Sequence, residues 1–132
     1  MGGHLLKSWS KEQKHIALSS AEAELYAANR GASEGLGLKS LAKDIGINLE
    51  LELQIDASAA CGIMQRRGLG QVRHIDTQEL WCQKALKDGR FGIGKIWGQT
   101  NTADLGTKPL GRQAVEDNLD RMGFTNKSCG GA

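Results

Sequence analysis

An α/β layer fold is what this sequence predicts, and three observations carry the prediction. The run Leu49-Glu50-Leu51-Glu52-Leu53-Gln54-Ile55-Asp56 alternates apolar and polar residues without a break, the period-two signature of a half-exposed strand. Ser19 with Glu22, and Asp76 with Glu79, have the three-residue spacing of a capping box, in which a side-chain oxygen and a carboxylate satisfy backbone N–H groups at a helix entrance. Helical and extended stretches then alternate along the chain, as they do where helices layer onto a sheet.

In chain order, Gly2-Gly3 reads as a turn. His4 to Ser10 reads as a strand with Leu5, Lys7 and Trp9 on one face and Leu6 and Ser8 on the other. A helix is predicted from Ser20 to about Asp44, stopped by Gly46 as the residue after its C-cap. Gly31, Gly35 and Gly37 leave room for a break and allow close approach to a sheet. Glu22 and Glu24 stand two positions apart at the entrance, roughly 200° around the helix axis, so they must do different jobs. Capping assigns Glu22 to the backbone. Glu24 then heads a stripe through Ala28, Gly31, Gly35, Leu38, Ala42 and Ile45 expected to face the fold. A buried carboxylate there is expensive unless a charged group meets it.

After the alternating strand, a short helix is expected from Ala57 or Ser58 to Arg67, closed by Gly68-Leu69-Gly70. A basic link through Arg73 and His74 leads to a second capped helix with Trp81, Cys82, Ala85 and Leu86 inward. Asp88-Gly89 turns the chain into a strand from Phe91 to Trp97. Asp104 falls in the first turn of a further helix that Pro109 interrupts. A last amphipathic helix spans about Gln113 to Met122, with Ala114, Val115, Leu119 and Met122 inward, ahead of a polar tail over 125–132 expected to be disordered. Trp9, Trp81 and Trp97 fall on inward faces, where core packing outweighs base stacking.

Composition bounds the function. A chain of 132 residues suits one domain. With 17 Lys plus Arg against 15 Asp plus Glu, the overall charge does not announce a nucleic-acid binder, so any attraction must come from local patches. Cys61, Cys82 and Cys129 have neither zinc-ligand spacing nor the look of a disulfide framework. No apolar run approaches the roughly 18 residues of a membrane span, and there is no signal-peptide pattern, so a soluble intracellular protein with no membrane partner is expected.

Three acids fall at element ends: Glu24 near a helix start, Asp56 at a strand's carboxyl end, and Asp104 after the last strand. Open α/β sheets build ligand sites at strand carboxyl ends. Converging carboxylates without His or Cys suit hard cations such as Mg²⁺, and a pair of such ions supports phosphodiester hydrolysis. Each acid also has a purely structural reading, as an exposed helix acid or as a cap and first-turn residue favoured by the helix dipole.

Five motifs set that choice in a wider frame. Ser8-Trp9-Ser10-Lys11, Ala17-Leu18-Ser19-Ser20-Ala21-Glu22-Ala23-Glu24, Ile55-Asp56-Ala57-Ser58-Ala59-Ala60, Arg73-His74-Ile75-Asp76 and Ala103-Asp104-Leu105-Gly106-Thr107-Lys108-Pro109-Leu110 follow one another. In order and spacing they resemble the ribonuclease H domain that closes the polyprotein of copia-type retrotransposons. The resemblance covers residues 2–110 as a ribonuclease H-like domain, and the helix over 111–124 looks like that family's C-terminal extension. It implies a ribonuclease H-like mixed sheet flanked by helices, cutting the RNA strand of an RNA–DNA hybrid with two Mg²⁺ or Mn²⁺ ions. The family's second, third and fourth acids fall on Glu24, Asp56 and Asp104, as catalytic and metal-binding residues. Arg66, Arg67, Arg73 and His74 lie between two helices and are the candidates for holding backbone phosphates, the alternative being a solvated basic loop. The implied partners are the hybrid and the reverse transcriptase domain of the same polyprotein, within a cytoplasmic virus-like particle or the nucleus.

The family's first catalytic Asp lies on a strand ahead of the hairpin, and residues 1–10 do not supply it. The expectation is a sheet lacking its first strand and a chain that binds metal weakly and cleaves little by itself. Gly106 stands where relatives carry a larger apolar residue, and the loop over 98–102 has no His. The competing readings are a non-catalytic remnant or repurposed module that binds nucleic acid or protein, and an unrelated α/β binding domain whose acids are only caps.

Overall fold

The computed structural model describes residues 4–10, 17–68, 80–105 and 107–124. The architecture is mixed α/β, with four α-helices and a two-stranded parallel sheet among the described residues. It is compatible with the ribonuclease H-like arrangement that the motifs imply. The chain forms two compact units, one from residues 13–96 and one from residues 1–12 with 97–132.

In the first unit, α1 spans Ser20–Asp44 as one unbroken helix, about 37 Å long at 1.5 Å per residue. Ser19 is its N-cap, with Oγ accepting from the Glu22 N–H at 3.2 Å. At the other end Gly46 has φ +82°, and its N–H donates to the Lys43 carbonyl at 3.0 Å while that of Ile47 reaches Ala42 at 2.8 Å. This pair of bonds is the Schellman closure that glycine permits at low cost.

Strand β1 (Glu52–Ile55) pairs in parallel with β2 (Gly92–Lys95), Glu52 opposite Gly92 and Ile55 opposite Lys95. Both strands are shorter than the sequence pattern. The alternation over 49–56 marks sidedness, but the ladder extends only as far as both chains stay in register. Between the strands run α2 (Ser58–Gln65) and α3 (Trp81–Lys87). Leu25, Ala28, Ala32, Ile55, Ala60, Ile63, Met64, Cys82, Ala85 and Phe91 form the core, with Trp81 and Leu86 packed against it. The predicted inner face of α3 is therefore the observed one. The Asp76–Glu79 capping box lies outside the described residues.

Gly31 and Gly35 of α1 approach β1 and the residue before it, as expected, whereas Gly37 does not. A Cβ at Gly31 would stand 3.1 Å from Leu53 Cδ1, and one at Gly35 would stand 2.7 Å from Leu51 Cδ1. At Gly37 a Cβ meets nothing within 4 Å. Gly37→Ala is therefore expected to stabilise the protein by about 1 kcal/mol, the full helix-propensity difference. Gly35→Ala should gain less, because Leu51 must move; paired urea titrations compare the two, and an equal gain would show that Leu51 yields freely.

The second unit holds two short 3₁₀ turns, Gly98–Thr100 and Thr102–Asp104, and α4 (Arg112–Arg121). The helix expected to hold Asp104 in its first turn is thus a single 3₁₀ turn that ends at Asp104. On α4, Val115, Leu119 and Met122 are half-buried as expected, but Ala114 is exposed and Asn118 is the buried residue. Arg121 donates to Asn118 Oδ1 at 3.2 Å, which offsets burial of that amide.

Residues 4–10 form no strand, and every one of them is exposed. Alternation alone does not make a strand, since the backbone groups need a neighbouring ladder; this stretch forms no ladder among the described residues, although the Leu5 N–H donates to the Met122 carbonyl at 3.2 Å. Trp9 and Trp97 are 41% and 79% exposed, so only Trp81 of the three tryptophans packs on the core. Lys7 Nζ lies 5.5 Å from the Trp9 ring centroid, within cation–π range. No described helix is long and apolar enough to cross a membrane. The expected disordered tail over 125–132 lies outside the described residues.

Candidate functional site

The entrance of α1 buries Glu22, the capping acid, rather than Glu24, the one expected to face the fold. Glu22 is the buried one, 2% exposed, whereas Glu24 is exposed. The Glu22 carboxylate accepts from the Leu18 N–H at 2.7 Å and from the Tyr26 hydroxyl at 2.5 Å. Those donors offset the desolvation that burial imposes. The capping box is present with one change, in that Glu22 reaches the N–H of Leu18 rather than that of Ser19. The buried stripe runs through Glu22, Leu25, Asn29 and Ala32, with Ala28 beside it. Ala28 and Ala42 of the expected stripe are buried, but its two ends, Glu24 and Ile45, are exposed. Leu25, the largest apolar residue in the first two turns, turns the helix so that Glu24 points outward, and Tyr26, one helical turn after Glu22, is the signal that could have shown it.

Asp56 directly follows β1 and is half-buried ahead of α2. Beside it, at the carboxyl end of β2, Lys95 Nζ donates to Ser58 Oγ at 2.6 Å. This tie joins the end of one strand to the first turn of the helix after the other, and sequence spacing gave no sign of it. Asp56 thus stands where parallel sheets place ligand-binding groups, with Ser58 and Lys95 as polar neighbours along the chain and across the ladder.

Asp104, in the second unit, closes its 3₁₀ turn. Asn101 Oδ1 accepts from the Ala103 N–H at 3.1 Å and caps that turn. The Asp104 carboxylate pairs with Lys108 Nζ at 2.9 Å, its side chain 15% exposed. The Asp104 carbonyl accepts from the N–H groups of Thr107 and Lys108, both at 3.1 Å, which fixes the backbone around it. The side chain is therefore held by its own turn.

Of the basic residues, Arg66 and Arg67 follow α2, with Arg66 half-buried and Arg67 exposed. Arg73 and His74 lie outside the described residues. Carboxylates are the right donors for Mg²⁺ or Mn²⁺, so the chemistry of Glu24, Asp56 and Asp104 fits such ions. Among the described residues, however, no three His, Cys, Asp or Glu side chains are grouped so that they could hold a metal ion.

No protein-family model matches this chain, and neither does any solved structure. The chain is similar to the retrovirus-related Pol polyprotein from transposon TNT 1-94 of Nicotiana tabacum, 31% identical over 112 residues, covering 83% of this chain and 8% of that protein. The Pol polyproteins from transposons RE1 and RE2 of Arabidopsis thaliana are each 28% identical, over 93% and 98% of the chain and 9% of their own lengths. The chain thus spans less than a tenth of each of these relatives. Its homologues are retrovirus-related Pol polyproteins of plant transposons, which it matches over most of its own length.

Proposed function

We propose that this chain is the ribonuclease H segment of a copia-type Pol polyprotein, hydrolysing the RNA strand of RNA–DNA hybrids. The observation that carries the reading is Asp56, half-buried at the carboxyl end of a parallel strand and directly ahead of a helix. The order of the five motifs and the Pol homologues support it. Glu24, Asp56 and Asp104 are the proposed ligands of Mg²⁺ or Mn²⁺, which when bound supplies an activated water and stabilises the leaving oxygen. The proposed partners are the hybrid and the reverse transcriptase domain of the same polyprotein, in a cytoplasmic virus-like particle or the nucleus.

A second reading, a module that binds nucleic acid without cutting it, is favoured by the exposure of Glu24 and by the lack of a described trio of metal ligands. One assay separates the two. A hybrid with end-labelled RNA is incubated with the chain, and with a version extended upstream, each with Mg²⁺ or with chelator. Hydrolysis requires shortened RNA that disappears on chelation and in the Glu24→Gln, Asp56→Asn and Asp104→Asn variants. Intact RNA with both proteins, alongside retained binding, establishes the second reading.

A further inference from the structure

The most built feature outside the three acids is a cavity of about 660 Å³ between the end of α2 and α3. Met64, Leu80 and Leu86 contribute its apolar surface, and Arg66, Arg67, Lys84 and Lys87 its cations, with no acid among its described lining residues. In a chain whose charges nearly cancel, four cations on the described lining of one cavity are a local concentration of positive charge. Arg67, Lys84 and Lys87 are exposed, and their side chains form no hydrogen bond or ion pair among the described residues. Lys84 and Lys87 are three positions apart on α3 and so share a face.

The two walls are held together by one side chain. Gln83 Nε2 donates to the carbonyls of Ile63 at 2.7 Å and Gly68 at 3.1 Å, and its Oε1 accepts from the Gly68 N–H at 2.9 Å. Gly68 takes φ +72°, where a side chain would be strained. The cations following α2 are thereby fixed against those on α3 before any ligand arrives. This preorganises the backbone that carries the cations, so that their side chains alone are left to order on binding.

The cavity is also remote from Asp56. Ser58 and Gln65 stand at opposite ends of the eight-residue α2, about 10 Å apart in helical rise. Lys87 lies shortly before Gly92, whose partner Glu52 opens β1 rather than closing it.

We propose that this cavity is a second nucleic-acid contact, in which Lys84 and Lys87 join Arg66 and Arg67 in holding the phosphates of a strand while the apolar floor meets sugar or base. It rests on the proposed function only for the kind of strand that is bound. Because it stands apart from the acids, it anchors nucleic acid without taking part in any bond cleavage, and it works without divalent metal.

The test is fluorescence anisotropy of the full chain with a labelled 18-base-pair RNA–DNA hybrid in chelator, titrated over a range of salt. Lys84→Gln/Lys87→Gln removes two charges while keeping good helix formers on α3. Its affinity should fall by roughly tenfold at 0.1 M salt, and the slope of log affinity against log salt should drop by about two. Lys43→Gln/Arg112→Gln, with the same net charge, should not reproduce that fall. Gln83→Leu, with folding verified by circular dichroism, should weaken binding with the charges intact. Equal losses in the two charge-matched pairs, unchanged binding by Lys84→Gln/Lys87→Gln, or displacement of the hybrid by polyglutamate at matched charge would each overturn the proposal. Intact RNA after incubation with Mg²⁺ and either the chain or its upstream-extended version, with this binding pattern retained, would end the hydrolase reading and leave the cavity's role standing.

Discussion

Replacing Glu22 by alanine is expected to cost about 3 kcal/mol of stability. The charge-assisted bonds from the Leu18 N–H and the Tyr26 hydroxyl are each of a kind worth roughly 1.5–3 kcal/mol where water is excluded, and their sum is discounted because both donors are only part-buried. The bond from Leu18 is itself Glu22's half of the helix-entrance cap, so it is counted once, and the Ser19 half remains. Glu24→Ala, on the exposed side of the same turn, should change stability by less than about 0.5 kcal/mol. Urea denaturation of the pair reads the difference, and adding Tyr26→Phe isolates the hydroxyl contact, since coupled residues depart from additivity. Equal destabilisation by Glu22→Ala and Glu24→Ala would refute the buried assignment. The contrast bears on function too, because a residue whose loss affects only cleavage must be separable from one whose loss unfolds the helix entrance.

Leu25→Ala should be similarly costly, at about 3 kcal/mol. Leu25 is fully buried, in one cluster with Ile55, Ala60 and Met64. It thus joins α1 to the strand and helix that flank Asp56. Truncating a buried leucine removes transfer free energy and leaves a cavity, a combined cost of roughly 2–5 kcal/mol. Ala28 and Ala32 on the same face are too small to spread into the space. Calorimetry should show a fall in melting temperature of several degrees or more for a chain this size. A fall below about 1 kcal/mol would mean that the neighbours collapse into the hole.

The helices were legible because their signals are local. Ser19, the stripe of small residues and Gly46 mark both ends of α1 within one or two turns of chain, and the structure places the helix over Ser20–Asp44. Asp56 at a strand's carboxyl end followed from alternation alone. What could not be read were features that need a partner distant in sequence. The His4–Ser10 pattern suits a strand, yet no ladder reaches it among the described residues, and the same limit shortens β1 to the four residues that meet β2. The rotation of α1 about its axis depends on which side chain wins the core, and Leu25 outweighs a row of glycines and alanines. The cavity cations were half legible: Arg66 and Arg67 stand out as neighbours, whereas Lys84 and Lys87 read as ordinary surface lysines until α3 is set against the end of α2 by Gln83.

The parallel pairing of β1 with β2 also has a consequence in time. Glu52 meets Gly92 only after about forty residues of chain have been looped back, and loop closure of that size is unfavourable until contacts reward it. Helix α1, by contrast, needs only neighbours in sequence. A refolding chain should therefore show helical circular dichroism well before the core around Phe91 and Ile55 excludes water, and substitutions at the strand pair should slow the later phase while leaving the first untouched.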